Sequence, residues 1–203
     1  MAEKKTGTAK AKMEIITGHK KNILTKEEAV NTTREKALAT LLVSGSCAYS
    51  TVLALQDVFN LKDEALLRAS GALTGGIGAR TDTCGSMIGA ILVLGSVCGG
   101  GRNDGDNCIP KMFEAMAQAE KFYLWFKEEM GCVTCHEILT KFAGGGEHDF
   151  TDRAQVLAAI EAGVLQKCRP LVQNNAGKAA EMLWDELHKP VAHKGIKGRN
   201  PKL

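Results

Sequence analysis

Cysteine is the residue type in this chain best suited to chemistry, and there are seven: Cys47, Cys84, Cys98, Cys108, Cys132, Cys135 and Cys168. The opening residues lack the apolar run of a secretory signal, so the chain reads as cytoplasmic. In that compartment cysteines point to metal binding or redox work rather than to a disulfide framework. Four of them stand beside helix-start signals. Cys84 follows Asp82-Thr83, which are expected to cap a helix whose first turn holds Cys84. Cys135 follows Thr134, with Glu137 at capping-box spacing. Cys47 follows the break Ser44-Gly45-Ser46, and Cys168 lies near the start of the last helix. The free amides and dipole of a helix start favour an anion, so a Cys84 thiolate is expected to be stabilised there. Cys98 and Cys108 read instead as small buried hydrophobes.

Several chemistries use such a set. Four thiolates suit a [2Fe-2S] or [4Fe-4S] cluster and electron transfer to an unidentified donor or acceptor. The same four thiolates would also hold structural zinc. A metal-free thiol-disulfide protein or sensor would use Cys84 as the attacking nucleophile and a second cysteine to resolve the disulfide. Cys132-Val133-Thr134-Cys135-His136 spells the c-type haem attachment pattern, with His136 as axial ligand, but haem attachment of this kind needs export.

Helical periodicity places these residues. Helices are expected over about 27–43, 46–59, 62–73, 83–97 and 110–130, then from Cys135, over a short stretch opened by Thr151 or Asp152, and over a final segment ended by Pro190. Phe113, Met116, Ala117, Phe122/Tyr123 and Phe126 are expected to face the core. Gly85 and Gly89 lie off the apolar stripe of the central helix and would let a second helix approach. No convincing period-2 segment occurs, so the fold class is all-α: one compact bundle of six to eight helices.

Charge divides the chain further. Residues 1–26 and residues 189–203 each carry +5, leaving an acidic body within the total of +3. We read residues 1–26 and 189–203 as mobile basic extensions around a helical domain of residues 27–188. Without aromatic residues to stack on bases, the tails imply no specific nucleic-acid partner.

Other motifs are weaker. The glycines of Thr74-Gly75-Gly76-Ile77-Gly78 lack the Lys-Ser/Thr ending of a phosphate loop. Gly99 to Asn107 lacks the bidentate glutamate of a calcium loop. Thr83 to Gly101 is uncharged for 19 residues, but six are glycine, so it reads as a core helix rather than a membrane span.

The order of these pieces resembles the redox-active family whose name, C_GCAxxG_C_C, spells a cysteine pattern. The matching segments are Cys47-Ala48, Gly71-Ala72 with Gly75-Gly76-Ile77-Gly78, and Thr83-Cys84-Gly85-Ser86-Met87-Ile88-Gly89-Ala90. Phe126 with Gly131, Cys135-His136-Glu137-Ile138-Leu139 and Cys168 complete the match. The chain departs from the pattern at Ser86, where alanine is written. The resemblance implies a small helical prokaryotic-type protein with four redox-active cysteines, Cys47, Cys84, Cys135 and Cys168. A related helical domain in split-Soret cytochromes adds the expectation of an iron-sulfur centre. Iron-sulfur electron transfer is favoured over dithiol chemistry, with zinc and haem c behind. Small-residue helix faces make a homodimer conceivable.

Overall fold

The computed structural model describes residues 13–17, 20–146, 149 and 152–189. Both basic tails lie largely outside this range, including all residues beyond 189.

Local signals explain where the helices begin and end. The first helix, α1 (Lys26–Ser44), starts at a capping box made by Thr25 and Glu28 and stops at left-handed Gly45. Ser46 caps α2 (Cys47–Phe59), its hydroxyl accepting the Tyr49 amide. Asp63 caps α3 (Glu64–Ser70) through the Leu66 amide. A 3-10 turn, Gly71–Leu73, leads toward α4 (Gly85–Cys98), and a second, Arg102–Asn107, leads into α5 (Cys108–Met130). Thr134 and Glu137 form the capping box of α6 (Cys135–Ala143). After α7 (Arg153–Glu161) and a 3-10 turn, Val164–Lys167, the chain closes with α8 (Cys168–Leu187).

The all-α expectation holds for the body of the protein, with eight α-helices among the described residues. One departure lies at the N-terminus. Met13–Thr17 (β1) and Lys20–Leu24 (β2) pair antiparallel, Met13 opposite Leu24 and Thr17 opposite Lys20. Ile15, Ile16 and Thr17 supply three β-branched residues in a row, a strand preference that a search for longer alternation passes over.

Helices α1, α2, α4 and α8 pack against one another, and α5 lies along α4. Their shared core takes Val52, Leu55 and Val58 from α2 and Met87, Ala90 and Leu94 from α4. Phe122 and Phe126 of α5 join Leu183 and Trp184 of α8. A Cβ on Gly89 would stand 2.8 Å from the Ala48 carbonyl oxygen, so the glycine is what lets α2 and α4 approach. Lys26 bridges to Asp185 at 2.8 Å, joining the start of α1 to the end of α8.

The expected inward face of α5 needs correction. Phe122 and Phe126 are fully buried, but Phe113 is 59 % and Met116 56 % exposed, with Ile109 and Leu124 equally open. The N-terminal half of α5 meets the end of α4 and, through Gln118, Glu186 of α8, but its Phe113 and Met116 side is not covered among the described residues.

Among the described residues no single helix is long and apolar enough to cross a membrane. One pair, Gly85–Cys98 with Arg102–Met130, meets that test jointly, but it is bent by 90°. Most of α4 is enclosed by protein, consistent with the core-helix reading.

Candidate functional site

The four cysteines reach one end of the bundle on four different helix starts. Cys47, Cys135 and Cys168 are the first residues of α2, α6 and α8. Cys84 departs from its expected place by one position. It is itself the N-cap of α4, while Asp82 turns its carboxylate to the amide of Thr83 instead of capping the helix.

Backbone stitching sets two of these starts side by side. The Cys84 amide donates to the Val133 carbonyl at 2.9 Å, and the Cys135 amide to the Asp82 carbonyl at 2.6 Å. The His136 amide donates to the Thr81 carbonyl at 2.8 Å. Thr83 and Thr134 form the antiparallel bridge between the two segments. Nothing in the sequence periodicity signals this pairing, because each partner is only a few residues long.

Before Thr81 the chain makes an unusual turn. Gly75, Gly76, Ile77, Gly78 and Ala79 are consecutive left-handed residues with φ from 59° to 71°, and Thr81 follows at 58°. Three glycines adopt this freely, whereas Ile77, Ala79 and Thr81 each cost about 1–2 kcal/mol. Hydrogen bonds from the amides of Ala79, Thr81 and Asp82 to the carbonyls of Thr74, Gly75 and Gly76 hold the turn closed. A Cβ on Gly76 would lie 2.6 Å from the Asp82 nitrogen and 2.8 Å from the Cys135 Cβ. One on Gly85 would lie 2.8 Å from the Cys47 sulfur. The glycine cluster is thus a cradle for cysteines and not a phosphate loop.

In front of the cradle lies a cavity of about 370 Å³, lined by Cys47, Cys135 and Cys168. Leu41, Leu42, Leu139 and Leu165 supply apolar wall, and Arg169 stands on it. Cys84 sits behind, 5 % exposed. Its sulfur lies 3.4 Å from the Ser86 hydroxyl, which also receives the Asn175 side-chain amide at 2.6 Å.

The electrostatics link all four sulfurs. Burial pushes the Cys135 thiol up to about 12, and Cys84, Cys47 and Cys168 push it in the same direction. Burial, then Cys84 and Cys47, push Cys168 up to about 12. Cys84 is also raised, by burial first and by Cys47 second, with the Ser86 hydroxyl and the amides of Met87 and Ser86 offsetting part of the rise. The expectation of a stabilised Cys84 thiolate is therefore overturned. Desolvation and the neighbouring Cys47 sulfur push against the thiolate that the helix start favours.

The remaining cysteines lie apart from this group. Cys98, at the far end of α4, is buried and raised to about 11, first by burial and then by Glu186. Cys132 directs its thiol to the Met130 carbonyl at 3.6 Å and packs against the main core. It does not line the cavity with Cys135, and the His136 side chain is exposed. The two cysteines of the haem pattern thus serve different surroundings.

A family model matches residues 46–182, more than half of the sequence, under the description "Putative redox-active protein (C_GCAxxG_C_C)". The chain belongs to the C_GCAxxG_C_C family. No curated protein and no solved structure matches it. Membership in this family supports a redox role, and the cavity end of the bundle gathers Cys47, Cys84, Cys135 and Cys168 of the matched region, whereas Cys108, the first residue of α5, lies against Gly100 beyond the other end of α4.

Four thiols suit iron or zinc. Among the described residues no three His, Cys, Asp or Glu side chains converge tightly enough to hold one metal ion. A single zinc at about 2.3 Å from every sulfur needs that convergence. A polynuclear cluster spreads its ligands more widely, and three of the four thiols border the cavity while Cys84 does not.

Proposed function

We propose that this C_GCAxxG_C_C family member is an electron-transfer protein whose Cys47, Cys84, Cys135 and Cys168 hold an iron-sulfur cluster. The observation carrying this reading is that Cys47, Cys135 and Cys168, remote in sequence, line one cavity, with Cys84 buried behind it. When bound, such a cluster takes up and releases single electrons. The protein's contribution is the surroundings. At Cys84 the amides of Ser86 and Met87 favour negative charge on the sulfur, as a thiolate-ligated cluster requires. The leucine wall limits water, while the open side of the cavity leaves a short route for an electron partner. The raised thiols of Cys84, Cys135 and Cys168 mean that loading displaces protons.

Anaerobic purification followed by iron, acid-labile sulfide, zinc and haem analysis, with a visible spectrum, tests the reading. Iron and sulfide in cluster ratio with broad charge-transfer absorption support it. A colourless protein whose cysteines titrate as a disulfide, a zinc-only protein, or a sharp Soret band would each overturn it.

A further inference from the structure

One buried polar group near the sulfurs is left incompletely paired. Asn175 of α8 is 1 % exposed, and its Oδ1 has no hydrogen-bond partner, while its Nδ2 donates to the Ser86 Oγ at 2.6 Å. Ser86, fully buried, lies 3.4 Å through its Oγ from the Cys84 sulfur. Burying an amide with half its capacity unmet is destabilising, so its retention calls for a local gain.

The direction of the bonds identifies that gain. An amide N–H occupies a lone pair of the Ser86 oxygen, which leaves the hydroxyl hydrogen free to point elsewhere. The Cys84 sulfur is the acceptor within reach. A sulfur that is deprotonated, or bound to metal, accepts and does not donate, so the two bonds run in one sense, from Asn175 through Ser86 to Cys84.

We propose that Ser86, oriented by Asn175, donates its hydroxyl hydrogen to the Cys84 sulfur and raises the reduction potential of the redox group to which that sulfur belongs. This inference rests on the redox reading above. Reduction adds an electron and increases negative charge on the sulfurs. A hydrogen bond to sulfur stabilises that added charge more than it stabilises the oxidised state. Ser86 and Asn175 are positioning residues: neither lines the cavity or binds the group directly.

Reductive titration of the loaded protein with dithionite and mediators, followed optically, reads the effect. Ser86→Ala is expected to shift the oxidised-to-reduced ratio at a fixed potential about tenfold toward the oxidised form, which is about 59 mV for a one-electron couple. Asn175→Ala is expected to act in the same direction but less, because the hydroxyl loses its orientation and not its hydrogen. In the Ser86→Ala background Asn175→Ala should leave the potential unchanged while restoring thermal stability, since it removes the stranded amide. A potential unmoved by Ser86→Ala in correctly loaded protein overturns the proposal, as does an Asn175→Ala shift that simply adds in the double variant.

Failure of the cluster reading would be visible separately, as absence of iron and sulfide from the wild-type protein. The same variants would then be equilibrated in a dithiothreitol redox buffer, where a tenfold change in the thiol-disulfide equilibrium corresponds to about 29.6 mV. No change there, or no Cys84 disulfide to measure, also overturns the proposal.

Discussion

The two ends of α4 carry similar residues and very different environments. At the N-terminal end Cys84 is buried beside glycine, and at the C-terminal end Cys98 is buried beside Gly99 and Gly100. Burial raises both thiols. At the first end, however, Cys84 feels the Cys47 sulfur of α2 and itself acts on Cys135 and Cys168, whereas at the second Cys98 feels Glu186, Lys189 and Glu114. A raised thiol is thus no signature of function in this molecule. What distinguishes the candidate site is that α2, α6 and α8 bring three further cysteines to it.

The sharpest test of that contrast is substitution at each end. Cys135→Ala or Cys168→Ala is expected to abolish stoichiometric iron and sulfide incorporation, and Cys98→Ala to leave it unchanged, both read by metal analysis after anaerobic reconstitution. Equal loss from Cys98→Ala would erase the distinction between the two ends.

The next largest difference should appear in the glycines. Gly76→Ala combines left-handed φ with contacts at 2.6 Å to backbone and 2.8 Å to the Cys135 Cβ, so about 3 kcal/mol or more of stability should be lost. Gly131→Ala, at a left-handed C-cap with nothing within 4 Å, should cost only about 1 kcal/mol. Urea unfolding of the metal-free variants measures both.

A weaker, graded difference comes from pH. Cys84, Cys135 and Cys168 hold their protons more tightly folded than unfolded. Their contribution to stability is full below an ordinary thiol pKa near 8.5 and declines as pH rises toward the folded values. The urea midpoint of the metal-free, reduced protein should therefore fall from pH 8 to pH 11, and fall less in a Cys135→Ala/Cys168→Ala variant. A midpoint that rises over this range would contradict the burial of these thiols.

The smallest effect is expected on the open face of α5. Phe113→Glu with Met116→Glu replaces exposed side chains, so thermal unfolding should change by less than about 0.5 kcal/mol. A loss of several kcal/mol would mean that this face is packed after all.

Much of the site was legible because helix starts are written locally. Ser46, Thr134 with Glu137, and the left-handed glycines act within three or four residues, and they located Cys47 and Cys135 correctly. Gly85 and Gly89 announced close packing, which the contacts to Cys47 and Ala48 bear out. Other features depend on distant parts of the chain. The inward placement of Phe113 and Met116 failed because periodicity identifies an apolar face without saying whether another helix reaches it. The expected thiolate at Cys84 failed because burial is a property of the assembled bundle, and it outweighed a dipole that the sequence does signal. The bridge of Thr83 to Thr134 and the bond from Asn175 to Ser86 join segments whose local patterns carry no mark of one another.

That bridge also bears on the order in which the molecule assembles. Cys84 and Val133 are joined across about 50 residues of chain, a closure whose length-dependent entropy is about 3–4 kcal/mol. Three backbone hydrogen bonds at about 0.5–1.5 kcal/mol each do little more than offset this, so the closure is secure only once α4 and α5 have packed. The cavity end is then a late-forming part of the native state. A cofactor captured there would act as a latch on a bundle already built, rather than as a nucleus around which the bundle folds.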